Sequence, residues 1–521
     1  MSTYGSDPST SPSPIGEGEF GHLIGRRARP LLRVAAYLLD QPVAVEAMTR
    51  PMVGRFLAES TQLEELLDHY SARSNRRWHR FRSLTAACKS FGEVGYELLH
   101  IRDALPTYRL LAIGQDFHQA TIGALGYVAE VLSDVSVRLL ASAKELSLPV
   151  SANRLPVGAM GEQLPPGRLP QDREARALEA VSEAVTRLAT TFLNLGAENS
   201  WIQTAGAASP DEHMDLMRDT VSEELLRVVQ HRFHNLQSIY DTYIAATNTA
   251  RADTDLRVIR GHISVIFHLL KTGTALAHYY ERHVAAQVSG GPGADEIFVD
   301  PARLLDALLR YAVAYAGRFI LSARELCQTK LRQYAQVGCV SVPVPRYRGF
   351  HVRPSTLVAK IVLHYGSDVR MLLDDEEYDA STPIEIFRAN EKINAWKRRW
   401  LCAQVGRLPM FRDGAPTDIR LAAKDALNHL AEARLIVVYE NPLRWPDDLV
   451  TAEGTVMERV IVELTRLQAT GKIDIEADMS ITFVGDRRVL ADLEQLARNG
   501  YGEDNLGNNI ALPPALAYLR R

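Results

Sequence analysis

The spacing of apolar residues changes near Gly338, and that change divides the chain into two kinds of fold. Before it, apolar residues recur every three or four positions over long stretches, the period of a helix with one buried face. After it the runs are short, valines alternate with other residues, and Gly, Pro and Asp break the pattern. A helical pattern does not settle as a strand, nor the reverse. The chain therefore reads as an all-α bundle region followed by a mixed α/β region.

In the first block, from about Gly21 to Leu148, Leu31, Leu32, Val34, Leu38 and Leu39 mark one apolar face. Leu125, Val128, Val131, Leu132, Val135 and Leu139 mark another. Residues 149–171 are rich in proline and glycine without periodicity and read as a linker. A second helical block covers 172–337, with helices expected at Asp172–Leu195, Pro210–Ala250, Asp253–Val288 and Pro301–Gln336. Asp300-Pro301 reads as an N-cap with proline in the first turn. Long helices with apolar stripes bury them against each other, and the two blocks are either separate or paired halves of one bundle.

Length and composition narrow the classes. A chain of 521 residues holds about two to four domains. Hydrophobic content of 46% with 23% charge is that of a globular protein, and a net charge of -4 argues against a general nucleic-acid binder. Cys88, Cys327, Cys339 and Cys402 are widely spaced, fit a reducing cytosol and form no metal-binding pair. No apolar run suggests a membrane span and no secretory signal is visible, so a cytoplasmic protein without membrane contact is expected. Residues 1–20, rich in Ser, Pro and Gly, read as a disordered tail.

The region 338–521 carries the local signals. Val340, Val342 and Val344 alternate with Cys339, Ser341, Pro343 and Pro345, a pattern an edge strand tolerates. Pro354 to Tyr365 is a helix stopped by Gly366. Asp368–Leu373 and Glu376–Ala380 form a hairpin around Asp374-Asp375, and Thr382-Pro383-Ile384-Glu385 has the form of a capping box. Ser480–Gly485 reads as a strand and Asp486–Asn499 as a helix with Val489, Leu490, Leu493 and Leu496 inward. Between about 396 and 479 lie a helix near Asp418–Ala433, a strand Arg434–Tyr439, a helix Ala452–Ala469 and a strand Lys472–Glu476.

Gly349-Phe350-His351-Val352-Arg353-Pro354 ends the first strand segment and opens a helix. A histidine there meets unpaired helix N–H groups and the positive end of the dipole, and Arg353 adds a guanidinium. The run resembles the G-x-H-A-R-P phosphohistidine site of HPr, the small carrier of the bacterial phosphoenolpyruvate-sugar phosphotransferase system. Ser367-Asp368-Val369 resembles the family's entry to its second strand. Leu493 to Leu496, followed by Asn499-Gly500-Tyr501-Gly502-Glu503, resembles its terminal helix and G-[FY]-G-E ending. The order β-α-β-β-α-β-α also matches, if 396–479 is an insertion.

The resemblance implies an α+β open-faced sandwich with a large insertion, following the helical bundle. It implies that His351 accepts a phosphoryl group on Nδ1 and that Arg353 partners the phosphate. The donor would be a phosphohistidine protein similar to enzyme I, with an acceptor or target protein beyond it and no cofactor. The family's regulatory serine falls on Thr382, with Ser381 adjacent. Ile384 and Phe387 fit the family's apolar docking patch. Glu385 departs from the small residue usual there, and a carboxylate on that face repels an acidic partner.

Two other readings remain open from the residues. One is a scaffold or binding protein whose HPr-like domain has lost phosphotransfer. The other is a metal-dependent enzyme in the bundle, drawn from His231, His234, His262, His268, His278 and His283, of which His231 and His234 lie one helical turn apart. His268 or His278 is also a candidate second phosphoacceptor. Lys397-Arg398-Arg399 reads as a solvated basic surface, and Trp396 and Trp400 as a helical pair. Ser289-Gly290-Gly291-Pro292-Gly293 lacks the Lys-Ser/Thr of a nucleotide loop and reads as a turn. Long amphipathic helices leave room for a homodimer.

Overall fold

The computed structural model describes residues 15–150, 155–156, 158–162, 164–165, 169, 181–285, 297–411, 418–440, 442–446, 450, 453–476 and 478–520. The chain is mostly helical, with a small antiparallel sheet near the C-terminus, as its periodicity leads one to expect. It divides into two units: Met1–Ala184 with Thr191–Cys327, and Val185–Thr190 with Gln328–Arg521. The glycine-rich turn at 289–293 lies outside the described residues.

The first unit is built from long helices: α1 (Glu17–Leu39), α2 (Arg50–His69), α3 (His79–Ala104), α4 (Phe117–Glu145), α5 (Val181–Glu198, in part), α6 (Glu223–Tyr243) and α7 (Asp255–His283). Their starts are chemically marked: Thr49, Asp116 and Ser222 each accept a bond from a first-turn backbone N–H. Helix α7 packs against both α3 and α6, so the two helical blocks share one bundle. Phe91 of α3 meets Tyr279 of α7 edge-on at 5.2 Å.

Several boundaries differ from the expectation. The tail does not run to residue 20, because α1 starts at Glu17 and buried Phe20 packs on the rings of Tyr70 and Trp78. The segment 149–171 is not free throughout: Met160 is buried, its carbonyl accepts from Thr49 Oγ1 at 2.6 Å, and Glu162 pairs with Arg50. The expected helix Pro210–Ala250 is broken at Thr220-Val221, after which Ser222 caps α6. The expected helix from Pro301 contains a π-helical stretch, Ala307–Val313, before it continues as α8 (Ala314–Tyr334). Helix α4 is long and apolar enough to cross a membrane, contrary to the expectation. Here its Leu125, Val128, Leu132, Val135 and Leu139 are buried in a bundle with α1 and α3.

The second unit holds a four-stranded antiparallel sheet of order β1-β6-β2-β3. Its strands are β1 (Val337–Pro343), β2 (Val369–Leu373), β3 (Glu376–Asp379) and β6 (Ser480–Asp486). As the prolines predict, β1 is an edge strand, paired only with β6. Asp374 takes φ +52° in the β2–β3 turn. In β2, Val369 and Met371 are buried while Arg370 is exposed, the alternation of a sheet covered on one face. That face is covered by α9 (Val352–Tyr365), the first half of α10 (Pro383–Val405) and α13 (Arg487–Arg498). Asp486 caps α13, whose Val489, Leu490, Leu493 and Leu496 are buried, each contributing roughly 1.5–3 kcal/mol.

Residues expected as an insertion form a small module with its own core. It contains α11 (Ile419–Glu432), β4 (Ile436–Val438), α12 (Val456–Ala469) and β5 (Ile473–Ile475), with β4 and β5 antiparallel. The insertion does not start with a break at 396. Helix α10 runs straight through, packing Ile386, Ala389 and Ile393 on the sheet and Leu401 and Val405 in the module. Its basic run is not all solvated either, since Lys397 is buried against Asp474 of β5. Trp400 packs on the module core, and Trp396, one turn earlier on the same helix, is exposed.

Candidate functional site

His351 stands where β1 has crossed to α9. The crossing loop bends through positive φ at Arg348 (+57°) and Gly349 (+64°). A side chain at Gly349 would collide with Asn390 Oδ1. That oxygen accepts from Phe350 N at 2.8 Å, while Asn390 Nδ2 donates to Arg348 O at 3.3 Å. Asp474 accepts from Arg348 N at 3.1 Å and from Lys397 Nζ at 2.8 and 2.9 Å. The loop is thus held by α10 on one side and by the inserted module on the other. Gly349 and Phe350 are buried and the loop is hydrogen-bonded on both sides, which limits the freedom of His351.

His351 is the N-cap of α9, with extended backbone and no side-chain cap bond. Its carbonyl accepts from Ser355 N at 3.1 Å. The N–H groups of Val352 and Arg353 have no acceptor within the helix, and Pro354 has no N–H. The imidazole is therefore not spent on the helix end, and two amides there are available to an anion.

The chain after α13 supplies the partner. Gly500, Tyr501 and Gly502 take φ of +62°, +59° and +78°, a tight left-handed reversal. Tyr501 is buried, donates its hydroxyl to Pro343 O at 2.7 Å and meets Phe350 edge-on at 5.4 Å. Glu503 follows, 4% exposed, with both carboxylate oxygens 2.9 Å from His351 Nε2. An ionised carboxylate only accepts, so in the neutral imidazole Nε2 bears the proton and Nδ1 the lone pair. Arg353 donates Nη1 to Gly502 O at 3.0 Å, tying α9 to this turn.

Two tyrosines complete the wall. Tyr347 packs edge-on against the imidazole at 5.5 Å, and Tyr439 of the inserted module packs on Tyr347 at 4.9 Å. Burial, reinforced by the charge of Asp474, raises the Tyr439 phenol well above its ordinary pKa, so it stays neutral. A cavity of about 440 Å³ adjoins, lined by Arg346, Tyr347, Tyr439, Arg498, Tyr501 and Glu503.

Of the residues singled out in sequence, His351 and Arg353 come together here. Thr382 and Ser381 open α10, but the capping box does not form. Thr382 makes no side-chain cap bond, and Glu385 pairs with Arg388 at 2.8 Å. Asp379 intervenes, accepting from Ser381 N at 2.9 Å and from Ser381 Oγ at 2.7 Å. Ile384 is exposed and Phe387 half-buried on the same helix. Sequence reasoning quoted Glu503 without giving it a role. The signal was the Gly-Tyr-Gly run before it, which requires a reversal of the chain. Asn390 and Asp474 carry no local signal.

Five of the six helical histidines are engaged elsewhere, and His231 is exposed on α6. His262 is buried, with Nδ1 2.9 Å from Val258 O and Nε2 3.2 Å from Ser322 Oγ. His268 Nδ1 bonds Glu97 at 2.6 Å, and His278 Nδ1 bonds Glu223 at 2.9 Å. His234 rests on Phe267, and His283 stacks on Tyr279. Among the described residues no three His, Cys, Asp or Glu side chains gather as a metal site. Comparison with protein-family models, with curated proteins and with solved structures finds no match to the chain.

Proposed function

We propose that the chain is a phosphocarrier or phospho-regulated signalling protein whose second unit is an HPr-like domain with an insertion, working in the bacterial cytoplasm. His351 accepts a phosphoryl group from a phosphohistidine donor protein similar to enzyme I. The observation that carries this reading is the Glu503–His351 pair at the start of α9. It leaves the Nδ1 lone pair free beside unpaired helix N–H groups. The strand order β1-β6-β2-β3, with helices on one face, supports the HPr-like part.

In the proposed transfer, Nδ1 attacks phosphorus on the donor histidine. The N–P bond forms at His351 as the donor's N–P bond breaks, and the donor ring keeps that electron pair. His351 becomes cationic as it reacts, and Glu503 stabilises that charge through the Nε2 proton. Val352 N–H, Arg353 N–H and the remaining guanidinium donors of Arg353 receive the phosphoryl oxygens. No cofactor is required. The helical unit would bind the regulated target or a second copy of the chain.

A second reading is a scaffold that has lost the relay. What favours it is the inserted module seated on Tyr347 beside the histidine, together with the Arg353–Gly502 bond. The test is incubation of the full chain and of His351→Ala with phosphoenolpyruvate and the general phosphotransferase-system enzyme of a bacterium. Acid-labile, base-stable phosphate on the parent alone is the expected result. No such phosphate on the parent from any phosphohistidine donor would leave the scaffold reading.

A further inference from the structure

The first unit contains an open cleft of about 1030 Å³ that the phosphocarrier reading does not use. Its floor is the small-residue face of α4: Ala120, Gly123 and Ala124, with Tyr127 at the edge. A Cβ added at Gly123 would meet nothing within 4 Å, so this face looks into open space. The opposite wall is the π-helical stretch Ala307–Val313 and the first turn of α8. A π stretch exchanges good helical hydrogen bonds for a wider turn and is frequent at functional sites. Here it carries Arg310 and Tyr311 on the cleft wall, with Tyr315 and Arg318 following on α8.

The polar groups of this wall are unevenly satisfied. Arg303 pairs with Glu130 at 2.7 Å, Arg310 pairs with Asp306 at 3.1 Å, and Asp300 caps the helix that opens with Pro301. Asp211 is the remaining carboxylate of the lining. Arg318 has no carboxylate partner among the described residues and lies over the Tyr315 ring at 4.8 Å. His213, 2% exposed, lines the cleft with its Nε2 unpaired, and the buried Tyr127 hydroxyl is likewise unpaired. Buried polar atoms without partners cost about 1–3 kcal/mol each, a cost that a ligand supplying the missing partners removes.

We infer that this cleft binds a small organic anion with an aromatic or apolar body. Its carboxylate or phosphate would pair with Arg318, its body would lie on the α4 floor among Tyr127, Tyr311 and Tyr315, and a polar substituent would reach His213. A mostly apolar lining with a few convergent polar groups is the usual composition of such sites. The pairing of Arg303 and Arg310 with carboxylates confines the anionic end to Arg318.

The test uses the full chain carrying His351→Ala, so that binding at the proposed phosphotransfer site does not contribute. Phenyl phosphate and 3-phenylpropionate are titrated by calorimetry, with inorganic phosphate, benzyl alcohol and phenethylamine as comparisons. At least one aromatic anion is expected to bind, and more tightly than inorganic phosphate or benzyl alcohol. Which of the two binds distinguishes a phosphate ester from a carboxylate. Arg318→Ala should weaken binding at least ten-fold. Gly123→Leu should abolish it while melting at the same temperature or higher, because leucine occupies the α4 surface on which the ligand's body would lie and favours the helix. Binding that survives Gly123→Leu, failure of both aromatic anions to bind, or preferential binding of phenethylamine would overturn the inference.

Discussion

Two histidines in this molecule are each held by a buried glutamate, and their surroundings differ. His351 gives Nε2 to Glu503, lies at the start of α9, and has a side chain 27% exposed. His268 gives Nδ1 to Glu97, lies in the middle of α7, and has a side chain 12% exposed. Glu97 also accepts from Lys271 at 2.7 Å, and the His100 ring lies tilted against His268 at 3.9 Å. Burial and the charge of His268 hold the His100 pKa down. The carboxylate–imidazole pair alone therefore does not define a phosphoacceptor. In mid-helix every backbone N–H is already bonded, and an added phosphoryl group finds no amides. At a helix start two N–H groups are unused. On the proposed function, position along the helix is what separates a phosphoacceptor at His351 from a histidine that only supports the fold at His268.

The largest effect should come from the inserted module. Lys397 and Asp474 are both 4% exposed at the side chain, and Asp474 also holds the loop before His351. Lys397→Met leaves that carboxylate buried without its cation and should cost roughly 3–5 kcal/mol, read by urea unfolding. Asp474→Leu in the same chain should restore much of the stability, because a buried pair replaced by apolar groups is often neutral. Phosphate labelling of His351 should stay slow in the double variant, since Arg348 N still lacks its acceptor. Labelling at the parent rate would show that the module does not set the histidine's position.

Acid should act next, on the first unit. Burial first, then the charge of Arg82, lowers the His283 pKa to about 4 from the ordinary 6.5. The unfolded chain takes up a proton on this residue below 6.5 while the folded chain does not until about 4. Stability from His283 is thus present above 6.5 and lost as pH falls to 4, by at most about 3 kcal/mol. His283→Phe, which can retain the stack on Tyr279, should remove this leg of the pH–stability curve. An unchanged slope between pH 6.5 and 4 in that variant would rule out His283 as its source. Glu97 acts lower: its hydrogen bonds to His268 and Lys271 outweigh burial and depress its pKa. Its contribution is lost only as pH falls below the ordinary carboxylate range.

Replacing each glutamate by glutamine tests the comparison directly. Glu503→Gln should slow labelling of His351 roughly 10–100-fold, the usual cost of removing the partner that orients a reactive imidazole. Glu97→Gln should leave labelling unchanged and cost about 1–3 kcal/mol, because His268 and Lys271 lose a charged acceptor. Equal effects of the two variants on labelling would dissolve the distinction between the two dyads.

Much of this arrangement was legible in the sequence, and the gaps have physical causes. Strands and helices of the second unit follow from local period and turn residues, including all four elements of the insertion. The Asp300 cap and the β1 edge were equally local. What could not be seen locally are the long-range partners. Glu503 reaches His351 only because Gly500 to Gly502 reverse the chain, and Asp474 reaches Arg348 from a different core. Lys397 looked like surface because its neighbours Arg398 and Arg399 are charged, yet α10 rotates it into a junction between two cores. The π-helical stretch covers only Ala307–Val313, too short for its wider period to stand out from the helix around it.

The smallest prediction concerns a second helix of the same unit that starts without a side-chain cap. Helices α2, α4, α6, α12 and α13 begin with side-chain caps, whereas α9 and α10 begin at His351 and Thr382 without them. Thr382 Oγ1 is turned back to Asp379, 3.4 Å away, and does not serve the helix. Thr382→Ala should therefore change stability by less than about 0.5 kcal/mol. Asp379→Ala, which releases Ser381, should cost about 1 kcal/mol. A loss of about 1 kcal/mol at Thr382 itself would mean that its hydroxyl caps α10 in solution. Of α9 and α10, α9 alone would then begin without a side-chain cap, and the contrast in helix starts within the second unit would rest on His351.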